Sequence, residues 1–178
     1  MDKKSERARV LKERNALSTA KRGELNHALC SFLSDFLDSV KVQTIGAFLP
    51  IGSEPDISEV LKNWLRAGAA RQVFLPVTEG KTMRFAFWDP AKPLKIGRFS
   101  VPEPTSDLFS EPPLLLVPCV ALNKQGYRLG YGAGYYDRYL PQTKAVTVAL
   151  CRSCFLLDAV PREEHDAPVD LVLTEEET

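Results

Sequence analysis

The chain predicts an α/β fold of three layers: a mostly parallel sheet with helices on both of its faces. Two patterns alternate along its 178 residues. Short apolar runs, such as residues 114–117 and 145–150, alternate with segments whose apolar side chains recur at helical spacing. A run that is apolar without interruption suits a strand buried on both faces, which is the situation inside a parallel sheet. At this length a single domain over residues 1–178 is expected, large enough to bury a substantial core.

Residues 3–16 are rich in helix formers. Ser18 or Thr19 can cap a second helix. In that helix Leu25, Leu29, Phe32, Leu33, Phe36 and Leu37 make one apolar stripe, predicted to face the core. Residues 44–49 read as a strand ended by Pro50-Ile-Gly52-Ser. Asp56-Ile-Ser-Glu59 resembles a capping box for a helix through Leu61, Trp64 and Leu65 that stops at Gly68. Residues 72–77 form a strand interrupted by Pro76, and residues 82–88 alternate as another. Residues 89–113 are proline-rich and show no periodicity; a stretch of that length is more often a functional loop or lid than a connector. The apolar runs 145–150 and 171–174 supply the last strands.

Lys plus Arg equals Asp plus Glu, 23 each, so no overall field draws the chain to nucleic acid or to a membrane. The charge is nevertheless uneven. The first 22 residues carry eight basic and three acidic side chains, while residues 158–178 carry eight acidic and one basic. Either the basic segment folds back near acidic or phosphate-bearing groups, or it is a solvated helix face. No apolar stretch approaches the ~20 residues of a membrane span. No hydrophobic run follows Met1-Asp2-Lys3-Lys4, so a cytoplasmic setting is expected. Cys30, Cys119, Cys151 and Cys154 are too few for a disulfide-built fold. Cys151-Arg-Ser-Cys154 has CxxC spacing but lacks the second close pair of a structural zinc site, and it ends a late strand; buried or idle thiols are expected.

The stretch that organises the chain is LLLVPCVALNKQGYRLGYGAGYYDRYL, residues 114–140. Its buried strand leads into a polar turn, Asn123-Lys124-Gln125-Gly126, and then into a loop with Gly130, Gly132 and Gly134. A helix-like segment, Tyr135 onward, stops at Pro141. Three glycines in five residues leave backbone N–H groups open to an anion such as a phosphate chain at the start of a helix. Arg128 and Arg138 flank the loop with guanidinium forks, and Asp137 stands where a hard-cation ligand would serve bound phosphates. The loop is neither a Walker A motif nor a dinucleotide fingerprint, so spacing alone leaves phosphate binding and a plain glycine-rich turn both open.

The run Arg128-Leu-Gly-Tyr-Gly-Ala-Gly-Tyr-Tyr-Asp-Arg138, preceded by Val117-Pro118, resembles the signature of the 5-formyltetrahydrofolate cyclo-ligases, or methenyltetrahydrofolate synthetases. Other segments fall in that family's order: the basic N-terminal helix ending at Leu17-Ser18, Phe48-Leu-Pro-Ile-Gly-Ser-Glu54-Pro-Asp56, Phe74-Leu-Pro76, Phe99-Ser-Val-Pro-Glu-Pro104 and Pro161-Arg-Glu-Glu-His-Asp166-Ala-Pro-Val-Asp170. The resemblance spans essentially the whole chain and implies a single Rossmann-like α/β domain.

It also implies an activity: Mg2+-dependent use of ATP to close 5-formyltetrahydrofolate into 5,10-methenyltetrahydrofolate. By resemblance Lys3, Lys4 and Arg7 reach the nucleotide's phosphates together with Arg128, Leu129, Gly130, Tyr131, Gly132, Ala133, Gly134, Tyr135 and Tyr136. Arg128 and Lys3 are the implied catalytic cations. Leu49, Glu54 and Phe99 belong to the folate pocket, and Asp137 and Asp166 are the implied magnesium ligands. The residues themselves allow plainer roles: Glu54 as an exposed turn residue, Phe99 as a packing anchor, Lys3 and Arg7 as a frayed basic terminus and His165 as a surface histidine. Arg128, placed in the loop, is expected to leave little cavity when truncated. The chain departs from the family pattern at Asn123 (usually aspartate), Ala133 (usually glycine) and Phe155 (usually glutamine); Ala133 does not readily take a positive φ, so the loop is expected to differ slightly there.

The partners expected are these two small molecules, without nucleic acid or membrane, and a monomeric state. Two alternatives stand beside this reading: a non-catalytic nucleotide- or folate-binding module, and an ATP-independent enzyme acting on a phosphorylated small molecule. No convincing nucleophile–base pair is present, in keeping with a reaction whose nucleophile belongs to the substrate.

Overall fold

A computed structural model describes residues 2–164 and 166–176. Asp2 accepts the backbone N–H groups of Lys4 and Ser5 and opens α1 (Lys3–Ala16). Ser18 accepts that of Lys21 and opens α2 (Thr19–Ser39). The chain then forms β1 (Thr44–Gly46), α3 (Ser58–Arg66), β2 (Gln72–Glu79) and β3 (Thr82–Phe87). The proline-rich stretch is not structureless: it holds β4 (Lys95–Ile96), β5 (Pro102–Glu103) and β6 (Phe109–Ser110). Then follow β7 (Leu114–Val117), β8 (Ala121–Asn123), β9 (Arg128–Leu129), α4 (Tyr135–Tyr139), β10 (Val146–Leu150), β11 (Leu156–Leu157) and β12 (Leu171–Leu173).

Seven strands make one sheet in the order β12–β10–β7–β1–β2–β3–β6. The first five are parallel, and β3 and β6 add an antiparallel edge. The sheets β11–β8–β9 and β4–β5 are separate and small. On one face α2 and α3 lay Leu29, Leu33, Leu37, Leu61 and Trp64 over Ile45, Val73, Leu114, Leu116 and Val148. On the other, Val10 of α1, Leu129 and Leu140 pack with Phe74, Phe85, Leu115, Val117 and Ala149. Successive residues of β7 therefore enter opposite cores, as the unbroken apolar run requires. Each buried leucine contributes about 1.5–3 kcal/mol.

Three local expectations are corrected. Phe32 lies on the apolar stripe of α2 but is exposed, because Leu29, Leu33 and Leu37 already fill the line that faces the sheet. The capping box does not form: Asp56 sits one residue too early and instead accepts the N–H and hydroxyl of Ser58, while α3 starts after Ile57 without a side-chain cap. Pro76 does not interrupt β2. It pairs with Phe85 of β3, and on its other side β1 has already ended at the level of Phe74, so no ladder hydrogen bond is lost.

β1 lies between β2 and β7, the place where the strand order reverses and a crevice opens beyond the carboxyl ends of both. Gly46 holds this centre closed. A Cβ there would collide with Leu115 and stand 3.1 Å from Phe85. Gly46→Ala is therefore expected to destabilise the fold by about 1–3 kcal/mol. Adding Leu115→Ala should recover part of that loss, so that chemical denaturation of the double variant shows less than the sum of the single effects. Additive losses would mean that the two side chains do not compete for this space.

Candidate active site

The crevice holds a cavity of about 450 Å³. One wall comes from the end of β1: Phe48, Leu49, Ile51 and Glu54. The turn that carries Glu54 is closed by its own side chain, which accepts the Ile51 N–H at 2.8 Å while Glu54 donates its N–H back to the Ile51 carbonyl at 3.1 Å. Gly52 takes the positive φ (55°) this turn needs. Glu54 is thus not an exposed turn residue but 7% exposed, facing the cavity. Burial, only partly offset by the Ile51 amide and by Arg14 and Tyr131, pushes its pKa up to about 7. Burial and the nearby Glu54 charge push the Tyr131 phenol up as well.

The facing wall is the glycine loop. Gly132 and Gly134 have φ of 98° and 73°, and each glycine lies against a guanidinium. A Cβ would stand 2.8 Å from Arg128 at Gly130, 3.3 Å from Arg7 at Gly132 and 2.6 Å from Arg138 at Gly134. The missing side chains make room for cations as much as for a ligand. Ala133 is not among the positive-φ residues, so the departure from glycine there carries no strain. Since α4 has only five residues, its dipole is a minor contribution beside the loop amides and the arginines.

Arg128 belongs to β9 rather than to an open loop, and it is 8% exposed. Its Nη2 donates to Asp137 Oδ1, and its guanidinium lies over the Tyr136 ring at 5.3 Å. Arg128 Nε and the Tyr136 hydroxyl are both shielded from solvent without a hydrogen-bond partner among the described residues. Unsatisfied polar atoms in the wall of a cavity are a place for a ligand's acceptors. Truncating Arg128 would also leave a hole, contrary to the expectation from the sequence.

Leu49, Glu54, Phe99, Arg128, Gly130, Tyr131, Gly132, Ala133, Gly134, Tyr135, Tyr136 and Asp137 all line this cavity. The remaining expected residues stand outside its lining. Arg7 grips the loop by donating from Nε to the Gly130 carbonyl at 2.6 Å. Lys3 Nζ donates to Asp166 at 2.7 Å and pairs with Glu163 at 3.3 Å. Burial opposes the Lys3 charge, but the Asp166 bond and the Glu163 carboxylate outweigh it and raise its pKa. Lys4 is exposed, and the Leu129 side chain is buried in the core. Asp166 is tied to Lys3 and to the Glu163 N–H. The two acidic residues expected to share a metal are therefore each bonded to a cation. His165 lies outside the described residues.

Among the described residues no three His, Cys, Asp or Glu side chains are grouped to hold a metal ion. Mg2+ at a polyphosphate needs only one or two carboxylates, the phosphates supplying the rest. Asp137 fits that demand, since it faces the cavity with 31% of its side chain exposed. Asn123, another of the departures, shapes the turn from β8 to β9, where its Oδ1 accepts the Tyr127 N–H at 2.9 Å. Phe155 fills the second core, and all four cysteines are free thiols, two of them buried.

Several cavity residues carry no signal in the sequence. Arg98, Thr78 and Met83 reach the cavity only because β2, β3 and the proline-rich stretch converge on one crevice. Arg14 and Arg152 are buried behind it; Arg14 donates to the Cys119 and Val120 carbonyls at 3.0 and 3.2 Å, and Arg152 to the Ser53 carbonyl at 2.9 Å. Nothing in the spacing of these arginines sets them apart from solvated ones. No helix among the described residues is long and apolar enough to cross a membrane.

Residues 1–175 match the profile of the 5-formyltetrahydrofolate cyclo-ligase family. A 5-formyltetrahydrofolate cyclo-ligase of Mycolicibacterium smegmatis is 33% identical over 94% of this chain and 91% of its own. The Escherichia coli K12 protein of that name is 29% identical over 93% and 96%. The solved structure of Aquifex aeolicus 5,10-methenyltetrahydrofolate synthetase superposes with a TM-score of 0.86 at 31% identity, covering 99% of this chain and 91% of the other. That of the Mycoplasma pneumoniae synthetase gives 0.80 at 26%, covering 99% and 100%. With the profile matched over residues 1–175 and the fold in agreement, the chain belongs to the 5-formyltetrahydrofolate cyclo-ligase family.

Proposed function

We propose that this protein, working as one domain, closes 5-formyltetrahydrofolate into 5,10-methenyltetrahydrofolate while ATP is cleaved to ADP and phosphate. One observation carries the reading: Leu49, Glu54 and Phe99 share a single cavity with the glycine loop and Arg128. A folate and a triphosphate tail can thus meet in it. Glu54, as carboxylate, suits the N–H edge of a pterin, and Phe99 and Leu49 supply apolar surface for its ring.

A formamide oxygen is a poor leaving group. In the proposed sequence the formyl oxygen attacks the γ-phosphorus and ADP departs. N10 then attacks the formyl carbon and gives up its proton, and phosphate leaves with the formyl oxygen. Both nucleophiles come from the substrate, so the protein's work is positioning and charge neutralisation. Loop amides 130–134 and Arg128 face the phosphates, with the unpartnered Arg128 Nε as a waiting donor. Arg7 holds the loop from behind, and Lys3 can exchange Asp166 for phosphate oxygens. Asp137 would hold Mg2+ together with phosphate oxygens, and Asp166 would take part only on release from Lys3. A bound Mg2+ would neutralise charge on the β- and γ-phosphates. A cytoplasmic monomer acting on these small molecules completes the proposal.

The direct test mixes protein, 5-formyltetrahydrofolate and Mg-ATP and follows methenyl absorbance. Growth of absorbance only with nucleotide and metal is the expected outcome. Product without ATP would favour an ATP-independent enzyme, and ATP binding without product a non-catalytic module. Arg128→Lys keeps a charge in the wall but loses the fork and the stack on Tyr136. It should lower kcat by about 10²–10³ with a small change in melting temperature; a parallel fall of both would make Arg128 a structural residue.

Glu54 carries a pH prediction. Its folded pKa, about 7, lies above the ordinary 4.5, so the folded state binds the proton more tightly and the contribution of Glu54 to stability is lost as pH rises from 4.5 through about 7. Without ligands, Glu54→Gln should gain melting temperature relative to wild type as pH rises across that window, while binding 5-formyltetrahydrofolate more weakly at high pH. A pH-independent melting difference would mean that the carboxyl does not titrate there.

A further inference from the structure

The stretch between β3 and β6 forms a strap over the cavity mouth. Its base is fixed: β4 pairs with β5, and the buried Glu103 carboxylate accepts the N–H and hydroxyl of Thr78 in β2, both at 2.9 Å. Its tip is not fixed in that way. Phe99 and Ser100 stand side by side in the left-handed region, with φ of 57° and 59°, a conformation L side chains leave unless something holds them. Phe99 is 63% exposed, with nothing like a core around it.

What holds the tip is Arg98. Its guanidinium lies over the Phe99 ring at 5.0 Å. Its Nη1 donates to the Gly80 carbonyl at 3.0 Å and to the Tyr135 hydroxyl at 3.2 Å, and that hydroxyl donates to the same Gly80 carbonyl at 2.9 Å. Tyr135 is the residue immediately after the glycine loop. Arg138, one turn further, lies against the Tyr135 ring at 5.2 Å and donates to the carbonyls of Lys81 at 2.9 Å and Ala133 at 3.1 Å. The turn at residues 80–81 is therefore a common anchor, bound from one side by the strap and from the other by the loop.

We propose that Arg98 is a positioning residue that couples the two halves of the cavity. It sets Phe99 over the folate side and fixes Tyr135 on the phosphate side through one three-membered ring with Gly80. A nucleotide that orders the glycine loop thereby sets the strap, and a pterin under Phe99 sets the loop. Linkage makes the effect reciprocal, each ligand raising the affinity of the other by the same factor. The inference rests on the proposed reading of the site as a folate and nucleotide pocket.

Titration calorimetry tests it, with 5-formyltetrahydrofolate measured with and without the magnesium complex of β,γ-imido-ATP. Wild type should bind the folate about five- to tenfold more tightly when the nucleotide analogue is present, the range of one lost or gained hydrogen bond with its stack. Arg98→Ala should bring that ratio close to one, Tyr135→Phe should lower it, and the double variant should show no further fall. Arg98→Lys, which keeps a donor but not the planar stack, should retain part of it. Melting of Arg98→Ala should stay near wild type, since the side chain is exposed. A ratio unchanged in Arg98→Ala, independent losses from Arg98 and Tyr135, or a large melting loss in Arg98→Ala would each overturn the coupling. Wild type that binds both ligands without mutual effect sinks this inference alone, whereas failure to bind the folate sinks the proposed function with it.

Discussion

Three guanidiniums crowd one short piece of backbone, and the rest of the site depends on that approach. Arg7, Arg128 and Arg138 come from α1, β9 and α4, and each meets a different glycine of residues 130–134. Any side chain at those glycines would displace a cation or force a backbone that L residues avoid. The result is a short stretch of backbone flanked by three guanidiniums, with Asp137 bonded to one of them. Packing of this kind has a cost: like charges are brought together and must be balanced. Asp137 and the carbonyls of Gly130 and Ala133 balance them.

The same balance explains the paired state of the site. Lys3 rests on Asp166 and Arg128 on Asp137, so the groups suited to bind phosphate and metal neutralise each other. In the proposed reading a magnesium-bound triphosphate, which carries both signs of charge, would exchange partners with each pair without leaving an ion bare. Glu54 lies at the other extreme. It has amide and phenol neighbours but no direct ion pair among the described residues, and burial raises its pKa to about 7. A ligand offering N–H donors would be answered there by a carboxylate.

Both halves of the cavity are held in place by the sheet. β1 and β7 end side by side at the reversal of strand order; Glu54 follows the first, and the second leads through β8 and β9 to the glycine loop. Gly46 lets the leucines and phenylalanines of the second core close beneath that point. The strap is held differently, by Glu103 at its base and Arg98 at its tip.

By itself the sequence determined whatever rests on local periodicity and local chemistry. The strands at 114–117 and 145–150, the helix stripe at Leu29, Leu33 and Leu37, the cap at Ser18 and the glycine loop are all of this kind, because each follows from neighbours within a few residues. The charge asymmetry also pointed the right way, since Lys3 does fold back onto Asp166. Only the tertiary structure decided burial and long-range pairing. Exposure of Phe32, the buried state of Glu54, Arg14 and Arg128, the continuity of β2 through Pro76 and the ring of Arg98, Tyr135 and Gly80 depend on residues up to more than a hundred positions away. The physical reason is that desolvation and guanidinium contacts belong to a place in space, and a linear pattern carries no trace of which distant backbone will occupy it.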